Sequence, residues 1–134
     1  MPDSLAMNPD AVGTVYPEIT FTVEPARVAA FREVFRQKEG VPPTFPTVAE
    51  FTVFPSVIGD PNLGLDLRRV LHGNQEYSLA RPLREGETLT VRTRLDSIRQ
   101  RAGTGFLAIA TEFVDDAGEI VATARSTMIE RGAS

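Results

Sequence analysis

The second half of the chain alternates apolar and polar residues in several short segments. In one of them Leu89 and Val91 share one side of an extended chain while Thr90 and Arg92 share the other, which is the period of two of a half-buried strand. Glycine-containing turns separate the segments, and glycine supplies the positive φ that tight hairpins need. The pattern predicts four antiparallel strands, at about residues 68–81, 88–101, 105–115 and 119–131.

The first half of the chain begins with a predicted strand and a predicted helix. Loose alternation over residues 14–24 indicates a strand, which we place at the edge of the sheet because Pro17 lacks an N–H for a strand ladder. A helix then begins at Pro25 and ends near Gly40. Within it, apolar side chains recur at spacings of three and four, at Val28, Phe31 and Phe35.

A second helix is predicted over residues 44–54, with Thr44 as its cap and Pro46 in its first turn. Glu50 is its only charged residue, so we expect the helix to be unusually buried. Pro55 is expected to end it, because a proline disfavours helical backbone at the residue before it. Residues 56–67 are rich in Gly, Pro and Asn and are therefore predicted to form a loop.

In chain order the elements are one strand, two helices and four strands, a pattern typical of the α+β class. A twisted antiparallel sheet with one apolar face is most simply covered by the buried second helix. We therefore predict a five-stranded antiparallel sheet wrapped around a central helix. This single domain is expected to occupy residues 14–134, after a flexible arm at residues 1–13.

Composition narrows the functional classes. With 42% hydrophobic and 24% charged residues the chain has the composition of a packed globular protein. The net charge of -4 argues against nucleic-acid binding, because phosphate contacts need a concentrated basic surface. With no cysteine and one histidine, no metal site is predicted. The first residues lack a secretory pattern and no apolar run is long enough to span a membrane, so we expect a cytoplasmic protein. No cofactor is predicted either.

Three short motifs carry a resemblance to a known family. They are VPPTFP at residues 41–46, LHGNQ at residues 71–75 and RPLREGE at residues 81–87. With them the chain resembles the MaoC-like dehydratases, most closely the non-catalytic N-terminal MaoC or HadA/HadC-like subunits of (R)-3-hydroxyacyl dehydratases. The resemblance extends over nearly the whole chain, and it implies the hot-dog fold with the second helix at the centre.

The same resemblance implies a division of labour between two chains. Catalytic members carry a segment of the form Gly-Asp-x-Asn-Pro-x-His between the first and central helices, and its Asp and His activate water. Here residues 31–40 join residues 41–46 almost directly, so that segment is absent. A catalytic MaoC-like partner is then expected to supply the Asp and His. The acyl group of a CoA or carrier-protein thioester is expected to run between the two central helices.

His72 and Glu50 are weak candidates for chemistry within the chain, and no other catalytic residue is predicted. An imidazole can carry a proton near neutral pH, but spacing pairs no carboxylate with His72, so a structural histidine bonded to backbone is favoured. On a regular strand His72 shares a face with Asn74, opposite Gly73 and Gln75. Glu50 acquires a raised pKa if it is buried, although exposure or pairing with an arginine is favoured.

The entrance to the second helix is a candidate binding site. Backbone N–H groups at a helix N-terminus lack intrahelical partners and attract partial negative charge, and related hot-dog enzymes place the thioester carbonyl there. A rigid helix entry is an equally good interpretation. The predicted substrate-binding residues are Pro43, Thr44 and Phe45 at this entrance and His72, Gly73 and Gln75 on the following strand.

The first functional hypothesis is a non-catalytic, substrate-tunnel subunit of an (R)-3-hydroxyacyl-thioester dehydratase or enoyl hydratase, paired with a catalytic hot-dog chain. One alternative is a homodimeric hot-dog protein that binds acyl thioesters without turnover. Another is a thioesterase that uses Glu50. A dimer is expected, because a single hot-dog sheet leaves an exposed edge and an open apolar face.

Overall fold

The computed structural model describes residues 7–35 and 40–131, apart from the side chain of Phe35. Its helices are α1, Pro25–Phe35, and α2, Thr47–Ile58, and short 3-10 helices lie at Pro9–Ala11 and Leu67–Arg69. The strands are β1, Ile19–Thr22, β2, Val70–Leu79, β3, Thr88–Arg101, β4, Thr104–Val114, and β5, Ile120–Arg131.

The five strands form one antiparallel sheet in the order β1-β3-β4-β5-β2. The four strands predicted in the second half of the chain are present, and so is the strand predicted before α1. In β3 the alternation has its expected result, since Leu89, Val91 and Leu95 are buried while Arg92 and Arg94 are exposed. The predicted fold class is confirmed, an α+β protein with a five-stranded antiparallel sheet.

The two edges of this sheet are β1 and β2. β1 begins after Pro17, and before that proline Val15 makes only an isolated bridge to Arg94. β2 pairs with β5 on one side, so the backbone groups on its other side have no strand partner within the described residues. A ten-residue edge of this kind is a ready template for pairing with another chain.

Helix α2 lies against the apolar face of the sheet and shares one core with it. The apolar side chains of α2 that are buried belong to the same cluster as the inward side chains of β3 and β4. This shared cluster includes Val53 and Val57 from α2 and Leu95, Leu107 and Ile109 from the sheet. Full burial of one such side chain contributes about 1.5–3 kcal/mol, so these contacts fix the helix on the sheet.

The predicted limits of the second helix are wrong at both ends. Thr44 does not cap it, because Pro46 occupies the capping position and no side chain bonds to the first turn. Pro55 does not end it, because α2 continues through Pro55 to Ile58. Val57 is wholly buried in the core, and this tertiary packing outweighs the local cost of a proline within the last turn. The loop predicted from residue 56 therefore starts one turn later.

The first helix begins at Pro25 as predicted, and its described part ends at Phe35. Val28 is wholly buried, and Phe31 is partly buried with its ring 5.4 Å from that of Phe45. The predicted end near Gly40 and the side chain of Phe35 involve positions outside the described residues.

Residues 7–13 pack against the domain, in contrast to the flexible arm expected there. Met7 and Ala11 are buried, and the backbone N–H groups of Asn8 and Gly13 donate to the carbonyls of Leu63 and Leu95, each at 2.8 Å. Apolar burial and these hydrogen bonds offset the conformational entropy that is lost when this segment becomes ordered, although its sequence has no periodicity. Residues 1–6, the rest of that expectation, lie outside the described residues.

The carboxylate of Glu130, near the end of β5, joins this segment to the loop after α2. Glu130 is wholly buried, and its Oε1 accepts from the Met7 N–H at 3.4 Å while its Oε2 accepts from the Asp66 N–H at 2.9 Å. Both donors come from irregular chain that no strand ladder can satisfy. A buried acceptor here therefore replaces the hydrogen bonds that regular structure provides elsewhere.

Replacement of Glu130 by Leu should lower the free energy of unfolding by about 2–4 kcal/mol, because it leaves the N–H groups of Met7 and Asp66 without their acceptor. Urea denaturation measures the change. Glu33→Leu, at an exposed position of α1, is the control and should shift stability by less than about 0.5 kcal/mol. Equal effects of the two substitutions would contradict the role given to Glu130.

Candidate functional site

A buried carboxylate lies between the central helix and the edge strand. Glu50 of α2 is only 1% exposed, and its two oxygens face β2. The Gln75 amide donates to both oxygens at 3.0 Å, and the Tyr77 hydroxyl donates to Oε1 at 2.6 Å. The expected exposure to solvent or pairing with an arginine is therefore wrong, since neutral donors from β2 satisfy this carboxylate.

Burial raises the pKa of Glu50 above its ordinary value of 4.5, because desolvation disfavours the charged form. The hydrogen bonds from Tyr77 and Gln75 and the nearby His72 oppose this increase without reversing it. The pKa of Tyr77 is also raised, by burial and by its bond to Glu50. Its oxygen is further bonded to the Thr47 hydroxyl, at the start of α2. The hydroxyl thus remains protonated and serves as a donor to the carboxylate.

The only histidine of the chain belongs to the same network. The His72 Nε2 lies 3.1 Å from the Gln75 Oε1 and 2.9 Å from the Ser126 hydroxyl of β5. Its ring packs edge-on to the ring of Phe54, with the centroids 6.5 Å apart. His72 is thus held by side chains, whereas the sequence favoured bonds to backbone. The Gln75 amide links His72 to the carboxylate of Glu50. The spacing of residues in the sequence did not indicate that these two groups lie close together.

A β-bulge in β2 creates this arrangement and overturns the predicted faces of the strand. His72 pairs with Met128 of β5 while Asn74 pairs with Thr127, so Gly73 is the extra residue between them. An extra residue reverses the alternation, and His72 therefore points to the same side as Gln75, not to that of Asn74. Gly73 suits the bulge because a Cβ there would lie 2.5 Å from Cδ1 of Ile129.

The entrance to α2 differs from the predicted binding site. The backbone N–H groups expected to be free are used locally, since that of Phe45 donates to the Pro42 carbonyl and that of Thr47 to the Thr44 carbonyl. The ring of Phe45 is wholly buried in the core. Of the three residues predicted here, only Pro43 and Thr44 are exposed.

Pro43 lines a surface depression of about 480 Å³ between the entrance to α2 and the end of β2. The other lining residues are Gly40, Val41, Leu79, Ala80, Arg81 and Pro82. This depression unites parts of two of the sequence motifs, at residues 41–46 and 81–87. It is separate from the Glu50 network, whose residues do not line it.

Sequence reasoning found Glu50, Gln75 and His72 but not their mutual contact, and it missed Tyr77 and Ser126. Tyr77 carried a readable signal, because it stands two residues after Gln75 on the same face of the strand. Ser126 carried none, because its role depends on how β5 pairs with β2.

The described residues hold no group of three or more potential metal-ligating His, Cys, Asp or Glu side chains. None of the helices within residues 7–35 and 40–131 has the length and hydropathy needed to cross a membrane.

The site therefore consists of a buried acid, Glu50, an amide that bonds to both the acid and the histidine, Gln75, and an exposed imidazole, His72. Such an arrangement can hold the imidazole in a fixed orientation for a hydrogen bond to a ligand.

A five-stranded antiparallel sheet around a central helix defines the hot-dog class of proteins. A family model described as FAS1-like, dehydratase domain region, matches residues 29–124. A UPF0336 protein of Streptomyces coelicolor is 40% identical over 124 residues, covering 92% of this chain and 79% of that protein. A UPF0336 protein of Saccharopolyspora erythraea is 38% identical over 109 residues, covering 81% of this chain and 67% of that protein. The chain therefore belongs to this FAS1-like dehydratase-region family, together with the UPF0336 proteins.

Solved structures agree on the fold. One chain of the HadBC (3R)-hydroxyacyl-ACP dehydratase complex of Mycobacterium tuberculosis superposes with a TM-score of 0.77 at 19% identity. The match covers 90% of this chain and 97% of that chain. A MaoC-like dehydratase of Phytophthora capsici gives 0.76 at 23% identity, covering 95% of this chain and 51% of that one. The predicted resemblance to the MaoC-like hot-dog dehydratases is thus confirmed at the level of the fold.

The raised pKa of Glu50 predicts a pH-dependent stability difference from Glu50→Gln. The folded chain takes up the Glu50 proton at a higher pH than the unfolded chain, so protonation favours the folded state. The free energy of unfolding of the wild type, relative to Glu50→Gln, should increase as the pH is lowered through the raised pKa of Glu50 towards the ordinary value of 4.5, and should change little below 4.5. Urea titrations of both proteins across this range test it, and parallel curves would contradict it.

Proposed function

We propose that this chain is the non-catalytic, substrate-tunnel subunit of an (R)-3-hydroxyacyl-thioester dehydratase or enoyl hydratase in the cytoplasm. A second hot-dog chain would supply the acid and base, and a CoA or carrier-protein thioester would bind between the two. Membership of a dehydratase-region family supports the reaction class. The state of Glu50 and His72 supports the division of labour.

The observation that carries the proposal is that the carboxylate of Glu50 is closed to substrate. Its burial leaves 1% of the residue exposed, and the Gln75 amide and the Tyr77 hydroxyl already occupy both oxygens. A general base or nucleophile must come within hydrogen-bond reach of its substrate. Glu50 would have to lose these bonds first, and each lost bond to a buried charge costs about 1.5–3 kcal/mol.

His72 is poorly equipped to carry a proton for the reaction. A carboxylate close to an imidazole stabilises the imidazolium that forms when the ring takes up a proton. Here the group at 3.1 Å is the neutral carbonyl of Gln75, which offers no net charge for that purpose. The chain therefore lacks an accessible carboxylate that could activate a water molecule together with His72, as the Asp and His of catalytic MaoC-like members are expected to do.

Exposed apolar surface on α2 and β2 supports pairing with another hot-dog chain. Phe51 of α2 is 66% exposed and packs edge-on against the ring of Phe54, while Leu71 of β2 is 51% exposed. Both belong to the elements that flank the Glu50 network. Burial of large apolar side chains favours association, and the free edge of β2 can accept a further strand.

Pro43 and Thr44 stay proposed contacts of the thioester, because they are exposed beside the depression of about 480 Å³. His72, Gly73 and Gln75 stay proposed contacts on β2. Any contact of Phe45 with the thioester would be through its backbone, because its ring is wholly buried. In this proposal the chain shapes and lines the tunnel.

The thioesterase hypothesis is disfavoured by the same closure of Glu50. A homodimer that binds acyl thioesters without turnover is the remaining alternative, and the exposed β2 edge fits it as well as it fits a heterodimer. The two differ in what covers Phe51 and Leu71, a second copy or a catalytic chain.

The chain alone should hydrate crotonyl-CoA at least about 100-fold more slowly than its mixture with a MaoC-like chain that carries the catalytic Asp and His, because general acid–base catalysis contributes roughly that factor. Absorbance of the enoyl thioester measures the rate. Robust hydration by the chain alone, abolished by His72→Ala, would refute the non-catalytic assignment.

Phe51→Arg should weaken association with the catalytic chain by at least about tenfold, because it places a charge in an apolar interface. Light scattering after size-exclusion chromatography measures the complex. Val34→Arg is the matched control, since Val34 is 75% exposed but lies on α1, and it should leave the complex intact. A tight homodimer that ignores the catalytic chain would favour the alternative.

A further inference from the structure

We infer that Glu50 and Gln75 are positioning residues that hold His72 with its proton on Nε2 and leave Nδ1 as a hydrogen-bond acceptor for an N–H or O–H group of the ligand. The inference deepens the proposed function, on which it rests only for the identity of the ligand as an acyl thioester. The state of the imidazole itself follows from the side-chain geometry of the described residues.

The first step is the orientation of the Gln75 amide. An ionised carboxylate only accepts hydrogen bonds, so it requires donors from every neighbour. The Gln75 Nε2 lies 3.0 Å from each oxygen of Glu50, which places the NH2 end of the amide on the carboxylate. The opposite orientation would bring a carbonyl oxygen against a buried charge of the same sign.

The second step is the proton on the imidazole. With its NH2 group on Glu50, Gln75 presents its carbonyl oxygen to the His72 Nε2 at 3.1 Å. A carbonyl only accepts, so Nε2 must donate and must carry the proton. The Ser126 hydroxyl, 2.9 Å from the same nitrogen, can both donate and accept, and therefore does not oppose this assignment.

The third step concerns the other ring nitrogen. A neutral imidazole with its proton on Nε2 has a free lone pair on Nδ1. Among residues 7–35 and 40–131, no hydrogen bond engages this nitrogen, and His72 is exposed. Nδ1 can accept from the 3-hydroxyl of a hydroxyacyl group or from an amide N–H of the pantetheine arm. It cannot accept from a phosphate or a carboxylate, which carry no donor when ionised.

The charge on Glu50 maintains this state. A protonated Glu50 can donate to the Gln75 carbonyl, which turns the amide and directs its NH2 group towards His72. Nε2 then accepts, and the imidazole proton moves to Nδ1, so the nitrogen facing the ligand becomes a donor. The other titratable group facing Glu50 is Tyr77 from β2, a neutral donor in either state. No arginine bonds to Glu50 or His72 within the described part of the chain.

Long-range 1H–15N correlation spectra of uniformly 15N-labelled, untagged protein test the inference directly, because the single histidine gives one imidazole pattern. In spectra that show the pattern of a neutral imidazole, the wild type should have the Nε2–H tautomer. Glu50→Leu removes the acceptor that orients the amide. It should raise the ratio of Nδ1–H to Nε2–H tautomer by a factor of about five, the size of one hydrogen bond.

Two further variants make the result specific. Gln75→Met removes the relay and should match Glu50→Leu, which also provides the readout if Glu50→Leu does not fold. Tyr77→Phe removes a different donor from Glu50 and leaves the Gln75 bonds in place, so the wild-type tautomer should persist. An Nδ1–H tautomer in the wild type, or no change in both relay variants, overturns the inference.

These spectra do not depend on the proposed function. The expected tautomer with no hydration by the mixed chains would overturn the dehydratase role and keep the relay. Normal hydration by the mixed chains, with an unchanged tautomer in Glu50→Leu and Gln75→Met, would support the dehydratase role and overturn the inference about His72.

Discussion

The constraint on which the site depends is the need to satisfy one buried carboxylate. Glu50 lies on the helix that the sheet surrounds, and an unpaired charge there would be too costly to keep. Its donors come from β2, so α2 and β2 must approach at the positions of Gln75 and Tyr77. The bulge at Gly73 then turns His72 towards the same cluster, which makes the position of the imidazole a consequence of the acid.

The burial and hydrogen bonds that stabilise the Glu50 carboxylate also keep it from contacting a substrate. A carboxylate with neutral donors on both oxygens is structurally useful, but at 1% exposure Glu50 has no oxygen that a substrate can reach. The family to which the chain belongs carries dehydratase regions, whereas the acid and the imidazole here meet through an amide. The role that we propose, a subunit that shapes the acyl site while another chain transfers the proton, would account for both facts.

Much of the fold could be predicted because its signals are local. The alternation of β3 and the glycine turns around it depend on neighbouring residues only, and the strands appear where the pattern indicated. The errors occur where distant contacts override local preference. Val57 in the core carries α2 past Pro55, and the Glu130 carboxylate and the Leu63 and Leu95 carbonyls bind residues 7–13, which lack periodicity of their own.

The sequence by itself determined the class of the fold and the central helix with its single charge. Only the tertiary structure decided that Glu50 is buried and that Gln75 joins it to His72. The physical reason is that a hydrogen bond depends on positions within about 3 Å, whereas periodicity specifies a face of an element. One extra residue at Gly73 was enough to reverse that face, and only the pairing of β2 with β5 reveals it.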